Sequence, residues 1–320
     1  MREVMIFSES DRISKKYRKE HHERIEHYSW MFKEDLCRNI VPSNYSPKAF
    51  VNCILEPENK DLEKLLYELL PSAFGRHHGG LNEIILGSIQ FIANQIVHHG
   101  YIILELVRYQ DFDDTEHFKL ENVLSSEFVE EKDHIVQVIP KNNVILFNEE
   151  GEQFDESKPI LIPKSKCLII EFPEALGGRL AYKKFLDDFE SFGKLSPMMN
   201  YFNNTLSGQP GYDLTEHQRL HLLELWKMSR IFKWHHRSNS ENEFSGFYYI
   251  YRYLNFIKLK MILRDYLVEQ LSRFIAEFSE HVNKKTVLKM EGLITINQVD
   301  EKINEWITGT MNPGSLSEVL

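Results

Sequence analysis

Two histidines one helical turn apart, His217 and His221, have the spacing of metal ligands on a helix, and Glu224 follows on the same side. Imidazole and carboxylate groups at this spacing can bind zinc. In a zinc hydrolase a glutamate follows the first histidine directly and acts as the general base, but here Gln218 occupies that position. The spacing therefore allows a metal site without its base, and a solvated or helix-capping role for the histidines is favoured.

Arg230 and His235 are separated by four residues, and a cation and an imidazole at this spacing can meet a scissile phosphate. The spacing resembles the motif of the helical ribonucleases of the HEPN superfamily, which implies RNA cleavage centred on these two side chains. Ile231 stands where that family has a polar residue. A surface cation beside a packed Trp234 is the favoured alternative.

Glycine-rich and acidic segments offer no further chemistry. Residues 75–80 lack the lysine and hydroxyl of a phosphate-binding Walker loop, and Gly177-Gly178 lacks the third glycine of a dinucleotide site. The acidic runs that begin at Asp111, Glu130 and Asp187 do not have the spacing of a calcium-binding loop. We therefore predict no cofactor and no metal, and we lean against an enzyme.

An aromatic segment, residues 247–256, has helical periodicity. Tyr249, Tyr253 and Phe256 share one face of that helix, and we predict that this face belongs to a core or to a subunit interface. Aromatic rings beside cations can also stack nucleic-acid bases. The candidates for nucleic-acid contact are Lys258, Lys260 and Arg264, for which a plain solvated helix face is the alternative.

The composition indicates a packed, soluble protein. The 320 residues carry 48 acidic and 38 basic side chains, and the formal net charge of −10 opposes nucleic-acid binding through a general positive field. Three cysteines in no paired spacing fit a reducing compartment. The most apolar windows, residues 81–107 and 254–271, contain several charged side chains, and the start lacks the apolar core of a signal peptide. We expect neither a membrane span nor export.

The order of periodic patterns predicts an α+β fold with N-terminal helices, a small and mostly antiparallel central sheet, and a helical C-terminal half. Helices are expected over residues 15–37, 62–70, 81–98, 180–192, 215–235 and 247–282, with Asp61 as a cap of the second and Gly100 after the third. Strands are expected over residues 101–107, 135–139, 143–147, 159–162 and 167–172. The predicted domains are residues 1–78, 79–178 and 179–320.

The middle of the chain resembles the portal proteins of tailed bacteriophages. A helix over residues 81–99 passes through Gly100 into a strand that contains Glu105, and residues 160–172 form a strand pattern followed by a glycine, Gly178, and a helix. The resemblance covers about residues 80–200, and more faintly the helical tail. The chain is shorter than most portals, and Glu171 stands where that family often has histidine or a similar polar residue.

The resemblance implies a mechanical function. Portal-like subunits join head to tail in a ring, and double-stranded DNA passes through its lumen during packaging. A shortened portal-like protein from a defective prophage fits the length, and its place would be the bacterial cytoplasm or the virion. The alternatives are an antiphage-defence or mobile-element component that binds a phage or host protein, and the helical ribonuclease described above.

Overall fold

The computed structural model describes residues 6–8, 28–42, 51–73, 80–110, 116–123, 128–137, 144–146, 160–194, 223, 227, 229–234, 246–280 and 284–311. The strands are β1 Ile6–Ser8, β2 Asn52–Glu56, β3 Tyr101–Gln110, β4 Glu116–Asn122, β5 Phe128–Glu130, β6 His134–Gln137, β7 Val144–Leu146, β8 Ile160–Pro163, β9 Cys167–Glu171 and β10 Val287–Glu291. The helices are α1 Tyr28–Cys37, α2 Lys60–Leu69, α3 Leu81–His99, α4 Gly178–Lys194, α5 Gly246–Glu280 and α6 Ile296–Thr308.

The predicted fold class is confirmed. Within the described residues the strands form small sheets in which each pairing is antiparallel, and helices dominate the C-terminal half. The predicted helices 62–70, 81–98, 180–192 and 247–282 and the predicted strands are present where they fall on described residues, with ends shifted by a few positions. Of the predicted helix 15–37 the described residues 28–37 are helical, and the predicted helix 215–235 is wrong at residues 230–233, which form a turn. Strands β1, β2, β4, β5 and β10 were not predicted. No helix of the described ranges combines the length and apolar character needed to cross a lipid bilayer.

The chain divides into two compact units of interleaved segments. Unit 1 contains the described residues of Met1–Glu23, Val41–Phe172 and Leu267–Gly292, and unit 2 those of Arg24–Ile40, Pro173–Tyr266 and Leu293–Leu320. Helix α5 therefore contributes its first part to unit 2 and its last part to unit 1. Each unit is described by itself below.

A glycine turn in unit 1 joins helix α3 directly to strand β3. Gly100 has a φ of 80°, a left-handed conformation that glycine adopts without the clash of a Cβ atom, and its N–H donates to the carbonyl of Ile96 at 2.7 Å. The carbonyl of Gly100 accepts a hydrogen bond of 2.8 Å from the N–H of Phe172. The helix therefore ends where the sheet begins, as the sequence predicted.

The β4-β3-β9 sheet of unit 1 is buried on both faces near its centre. Successive side chains of a strand point to opposite faces, and Ile102, Ile103 and Leu104 are all buried. Ile103 packs with Ile135 and Ile162 of a second sheet, whose order is β5-β6-β8. Because both faces are covered, strand β3 reads in the sequence as a continuous apolar run.

Helix α2 of unit 1 begins with a side-chain cap that the sequence did not indicate. The side chain of Asn59 accepts a hydrogen bond of 3.1 Å from the N–H of Leu62, so Asn59 is the N-cap and the prediction of Asp61 was wrong. The Asn59 amide also donates to Thr286 Oγ1 at 3.4 Å, and this residue lies 227 positions away. A tertiary contact therefore favours the earlier start of the helix.

Unit 2 is built around one phenylalanine. Phe32 of α1 is fully buried, and its ring centre lies 5.2 Å from Phe185, 5.4 Å from Phe232, 5.7 Å from Trp234 and 6.4 Å from Phe256. These rings come from α4, from residues 229–234 and from α5. Mostly edge-on contacts of this kind add to the stabilisation from burial. The cluster fixes α1 against the first part of α5.

Helices α5 and α6 of unit 2 pack side by side in opposite directions. Phe247 in the first turn of α5 stacks on Trp306 near the end of α6 at 5.5 Å, and Leu254 packs with Val299 and Ile303. The α6 start is fixed by a capping box in which Thr295 and Gln298 exchange hydrogen bonds. This arrangement sets which side of α5 remains for contact with α1.

Candidate functional site

One face of helix α5 in unit 2 carries four of the residues that the sequence singled out. Tyr249, Tyr253, Phe256 and Lys260 follow each other at steps of four, three and four residues, so they lie on the same side of the helix. Phe256 is buried against Phe32, whereas Tyr249 remains 39% exposed. We call this side, together with the end of α1, the α1–α5 site.

The side chain of Lys260, a residue of α5, lies beside the C-terminal end of α1. Its ammonium donates a hydrogen bond to the carbonyl oxygen of Arg38, the residue that follows the helix. Burial lowers the pKa of Lys260 from 10.5 to about 8, a shift that the neighbouring Cys37 and Asp35 partly oppose and Arg38 adds to. The α1 helix has no basic residue of its own in its last turn, and Lys260 adds a positive charge there beside that of Arg38.

Cys37 is the last residue of α1, and its side chain is buried. Burial raises the pKa of the Cys37 thiol from 9.0 to about 12, although the nearby Lys260 lowers it in part. The thiol therefore stays protonated at neutral pH and does not act as a nucleophile there. Of Cys37 and Lys260, only the Lys260 amine can lose its proton near neutral pH.

Asp35 connects α1 to the turn that contains Trp234. The indole Nε1–H of Trp234 donates to Asp35 Oδ2 at 3.0 Å, and the Trp234 ring is fully buried. Burial raises the pKa of Tyr249, and the negative charge of Asp35 adds to this shift. The Asp35 carboxylate therefore lies close enough to influence both Tyr249 and Lys260.

Arg252 fixes the same turn from another side of α5. Its side chain is 4% exposed, and its Nη2 donates to Ser229 Oγ at 2.8 Å and to the carbonyl oxygen of Trp234. The guanidinium also lies over the Tyr248 ring at 6.0 Å. Burial lowers the pKa of Arg252, and the interaction with Tyr248 partly offsets this shift. These contacts determine the path of residues 229–234.

The chain matches no family model, no curated protein and no solved structure. The function of the α1–α5 site therefore has to be argued from its own geometry.

The ribonuclease motif is only partly described. Arg230 is exposed and begins a turn in which Lys233 has a φ of 57° and its N–H donates to the Arg230 carbonyl at 3.3 Å. His235 lies outside the described residues. Burial of Trp234 and exposure of Arg230 agree with the favoured alternative of a surface cation beside a packed tryptophan, and the catalytic role stays a prediction.

The three candidate cations for nucleic-acid contact each have an internal partner. Lys258 Nζ pairs with the two carboxylate oxygens of Asp300 at 2.7 and 2.8 Å, and Lys260 donates to Arg38. Arg264 is buried, and its Nη2 donates to the carbonyl of Ile294 at 2.6 Å. These contacts hold α5 to its neighbours, and the role in nucleic-acid contact stays a prediction.

The histidine pair proposed for zinc, His217 and His221, lies outside the described residues together with Glu224. Among the residues that are described, no group of three histidine, cysteine, aspartate or glutamate side chains is placed to hold a metal ion.

Sequence reasoning also missed a polar contact between His117 and Glu68 in unit 1. His117 Nδ1 lies 2.6 Å from Glu68 Oε2, and the imidazole stacks on Tyr109 with ring centres 5.2 Å apart. A carboxylate accepts hydrogen bonds, so the neutral imidazole carries its proton on Nδ1 and leaves Nε2 as an acceptor. The pairing of Tyr109 with His117 across β3 and β4 brings the rings together, and no spacing in the sequence could indicate it.

Proposed function

We propose that this chain is a portal-like assembly protein, whose copies join head to tail in a ring through which double-stranded DNA passes. The ring would act mechanically, in DNA packaging or passage, and would need no cofactor. The contact between neighbours would be heterologous and closed by rotation.

We base the proposal on one observation, the order of two junctions along the chain. Helix α3 turns at Gly100 into strand β3, and strand β9 leads through a short 3-10 turn, Gly177 and Gly178 into helix α4. A small antiparallel region lies between the two junctions in the sequence. This is the order of elements on which the resemblance to phage portals rests.

The charges of the chain support a role in which DNA slides. A lumen must not hold the duplex through many phosphate contacts, because each such contact strengthens binding. The net charge is −10, and Lys258 and Arg264 have partners within unit 2. We therefore expect the lumen to contact DNA weakly and without dependence on the DNA sequence.

The α1–α5 site suggests where a neighbouring subunit would bind. On this face Tyr249 is exposed and Phe256 is buried. Tyr249 can therefore contact another copy, while Phe256 packs in the core. Aromatic side chains are enriched in protein interfaces because they bury a large apolar area. Among the predicted interface residues, Tyr249 is therefore the one to test.

Mass photometry and light scattering on the purified full chain test the assembly. We expect a large oligomer that dissociates when Tyr249 is replaced by lysine. The matched control is Leu180→Lys, which changes an 83% exposed leucine of α4 and should leave the oligomer intact. A strict monomer at every concentration would overturn the proposal, and an oligomer that survives Tyr249→Lys would exclude Tyr249 from the interface.

Binding to double-stranded DNA separates a lumen from a plain scaffold. Fluorescence anisotropy with a labelled duplex should show weak binding that falls with salt and does not depend on sequence. Tight binding to one sequence would contradict the proposed sliding contact.

A further inference from the structure

An apolar strip crosses the outer face of the β5-β6-β8 sheet in unit 1. Val129, Val136 and Leu161 lie directly opposite one another on the three strands, so their side chains share one face. Ile135 and Ile162 occupy the other face and are buried. Val136 is half-buried, whereas Val129 and Leu161 are each 61% exposed. Contiguous exposed apolar side chains, unlike single ones, mark contact surfaces. We call Val129, Val136 and Leu161 the β-strip.

The charged rim of the β-strip is mainly acidic. The N–H of Glu131 donates to the carbonyl of His134 at 2.9 Å, so these two residues continue the pairing of β5 with β6. By the alternation of side chains along a strand, both lie on the face of the β-strip. Lys132 and Asp133 are exposed in the turn between them. Two carboxylates against one ammonium leave this rim negative.

Unit 2 exposes an apolar side chain between two cations. Ile231 is 66% exposed in the turn formed by residues 230–233, and Arg230 and Lys233 of the same turn are exposed as well. The turn is anchored from its inner side, because Phe232 is buried in the aromatic cluster of unit 2. Ile231 is therefore a preformed apolar projection with positive neighbours.

We propose that the 230–233 turn of one copy of this chain binds the β-strip of the next copy, with Ile231 seated on the three aliphatic side chains. The apolar surfaces leave water in this contact, and the basic turn meets the acidic rim. Because the two surfaces differ, the contact is heterologous and repeats from copy to copy. The inference rests on the proposed head-to-tail assembly and defines the contact through which that assembly forms.

The charge of the chain argues for this pairing of surfaces over a symmetric one. With a net charge of −10, two copies repel each other unless a basic surface of one meets an acidic surface of the other. Two β-strips face to face would bring their acidic rims together, and like charges across an interface oppose binding. Arg230 and Lys233 supply the opposite charge.

The 230–233 turn also adjoins the interface residue proposed above. Trp234, directly after the turn, donates to Asp35 at 3.0 Å, and Asp35 is close enough to influence Tyr249. The contact made by Ile231 therefore extends toward Tyr249. A wider contact is what a stable interface needs, because one aliphatic side chain buries only a small part of the area that such interfaces bury.

Mixing two assembly-deficient variants tests the contact. Leu161→Asp damages the β-strip and leaves the turn intact, whereas Ile231→Asp damages the turn and leaves the β-strip intact. Each variant alone should be monomeric, because an unpaired carboxylate would be buried in the contact and the affinity should fall roughly 100-fold or more. Mixed in equal amounts, the two variants should form a one-to-one dimer and nothing larger, because one natural contact remains. That dimer also shows that both variants are folded.

Light scattering gives the masses, and native mass spectrometry with one variant labelled with nitrogen-15 identifies the mixed dimer. The matched control is Leu180→Asp, which changes an exposed leucine of α4 outside both surfaces and should assemble like the natural chain. A mixture that stays monomeric would overturn the proposal. Assembly of the Ile231→Asp variant alone would assign the β-strip to another occupant, and would overturn it as well.

The outcomes separate this contact from the proposed function. A natural chain whose large oligomer survives both substitutions contradicts the contact and leaves the assembly standing. A natural chain that is a strict monomer contradicts both. A chain that assembles through this contact and binds no duplex DNA supports the contact and contradicts the portal-like function.

Discussion

The indole nitrogen of Trp234 lies 3.0 Å from a carboxylate oxygen of Asp35, a residue 199 positions earlier in the chain. This hydrogen bond joins α1 to the turn at residues 229–234 and places a charged acceptor beside a fully buried ring. The aromatic cluster around Phe32 therefore has a polar contact at its margin, which orients the tryptophan within it.

Replacing Trp234 by phenylalanine should destabilise the chain by about 2–4 kcal/mol, because the donor to a charged acceptor is lost and the smaller ring leaves a cavity. Asp35→Asn is the control, since the amide oxygen can still accept the bond, and its cost should be below about 1 kcal/mol. Urea unfolding followed by tryptophan-independent circular dichroism measures both. Equal costs for the two variants would contradict a hydrogen bond specific to Trp234.

Replacing Arg252 by methionine should cost about 2–4 kcal/mol, because Ser229 Oγ and the Trp234 carbonyl lose their buried donor. Arg273→Met is the matched control on the same helix. Its ion pair with Glu269 is exposed, so we expect a change below about 0.5 kcal/mol. Thermal unfolding of the three chains would show the difference, and an Arg252 variant as stable as the control would refute it.

The stability of the chain should depend on pH through Lys260. Its folded pKa of about 8 lies below the ordinary 10.5, so between these values the unfolded chain binds more protons and stability rises with pH. Stability from this group is therefore fully present above 10.5 and is lost as pH falls to about 8. Cys37 acts in the opposite direction, since its pKa is raised from 9.0 to about 12 and stability falls as pH rises through that range.

Comparing the chain with Lys260→Met reports mainly on the lysine, because Cys37 is present in both chains and burial, the larger cause of its raised pKa, is unchanged. We expect the unfolding free energy of the natural chain to gain roughly 1 kcal/mol relative to the variant as the pH is raised from about 8 to about 10. Lys260→Arg should show no such gain, because arginine stays charged throughout. Parallel pH profiles for all three chains would contradict the assignment of this pH dependence to Lys260.

Gly178 should not tolerate a side chain. Its φ is 73°, and a Cβ atom there would lie 2.5 Å from the Glu174 carboxylate, so Gly178→Ser should cost about 1–2 kcal/mol. The same substitution at Gly80 provides the control. Gly80 has a φ of −71° at the N-cap of α3 with open space around it, and serine there should be neutral or stabilise by about 0.5 kcal/mol or less. Similar melting temperatures for the two variants would contradict this account.

Local patterns in the sequence were sufficient for much of the secondary structure. Helix α3, the turn at Gly100 and strand β3 were predicted in order, because an apolar helical period, a C-terminal glycine and a run of β-branched residues are all visible without tertiary contacts. Strand β4 was missed, since it has only one buried position and reads as a polar segment. Strand β10 pairs with β2 across more than 200 residues of chain, a pairing that local pattern cannot indicate.

The tertiary contacts of the α1–α5 site could not be predicted from local sequence patterns either. Helical spacing placed Tyr249, Tyr253 and Phe256 on one face, as predicted, whereas the position of Lys260 on the same side was not predicted. The partners of that face, Asp35, Cys37 and Arg38, come from a helix more than 200 positions earlier, and nothing in their own spacing points to α5. Long-range packing also decided that Lys258 pairs with Asp300, whereas Lys260 donates to the Arg38 carbonyl.

The sequence by itself determined the segments with a strong local pattern, such as helix α3 and strand β3, and which side of a helix is apolar, because those properties depend on neighbours within a few residues. Tertiary structure alone decided which side chains meet, how deeply Lys260 is buried and how far its pKa moves. The physical reason is that desolvation and hydrogen bonding act over a few ångströms of space, and distance along the chain does not report that separation.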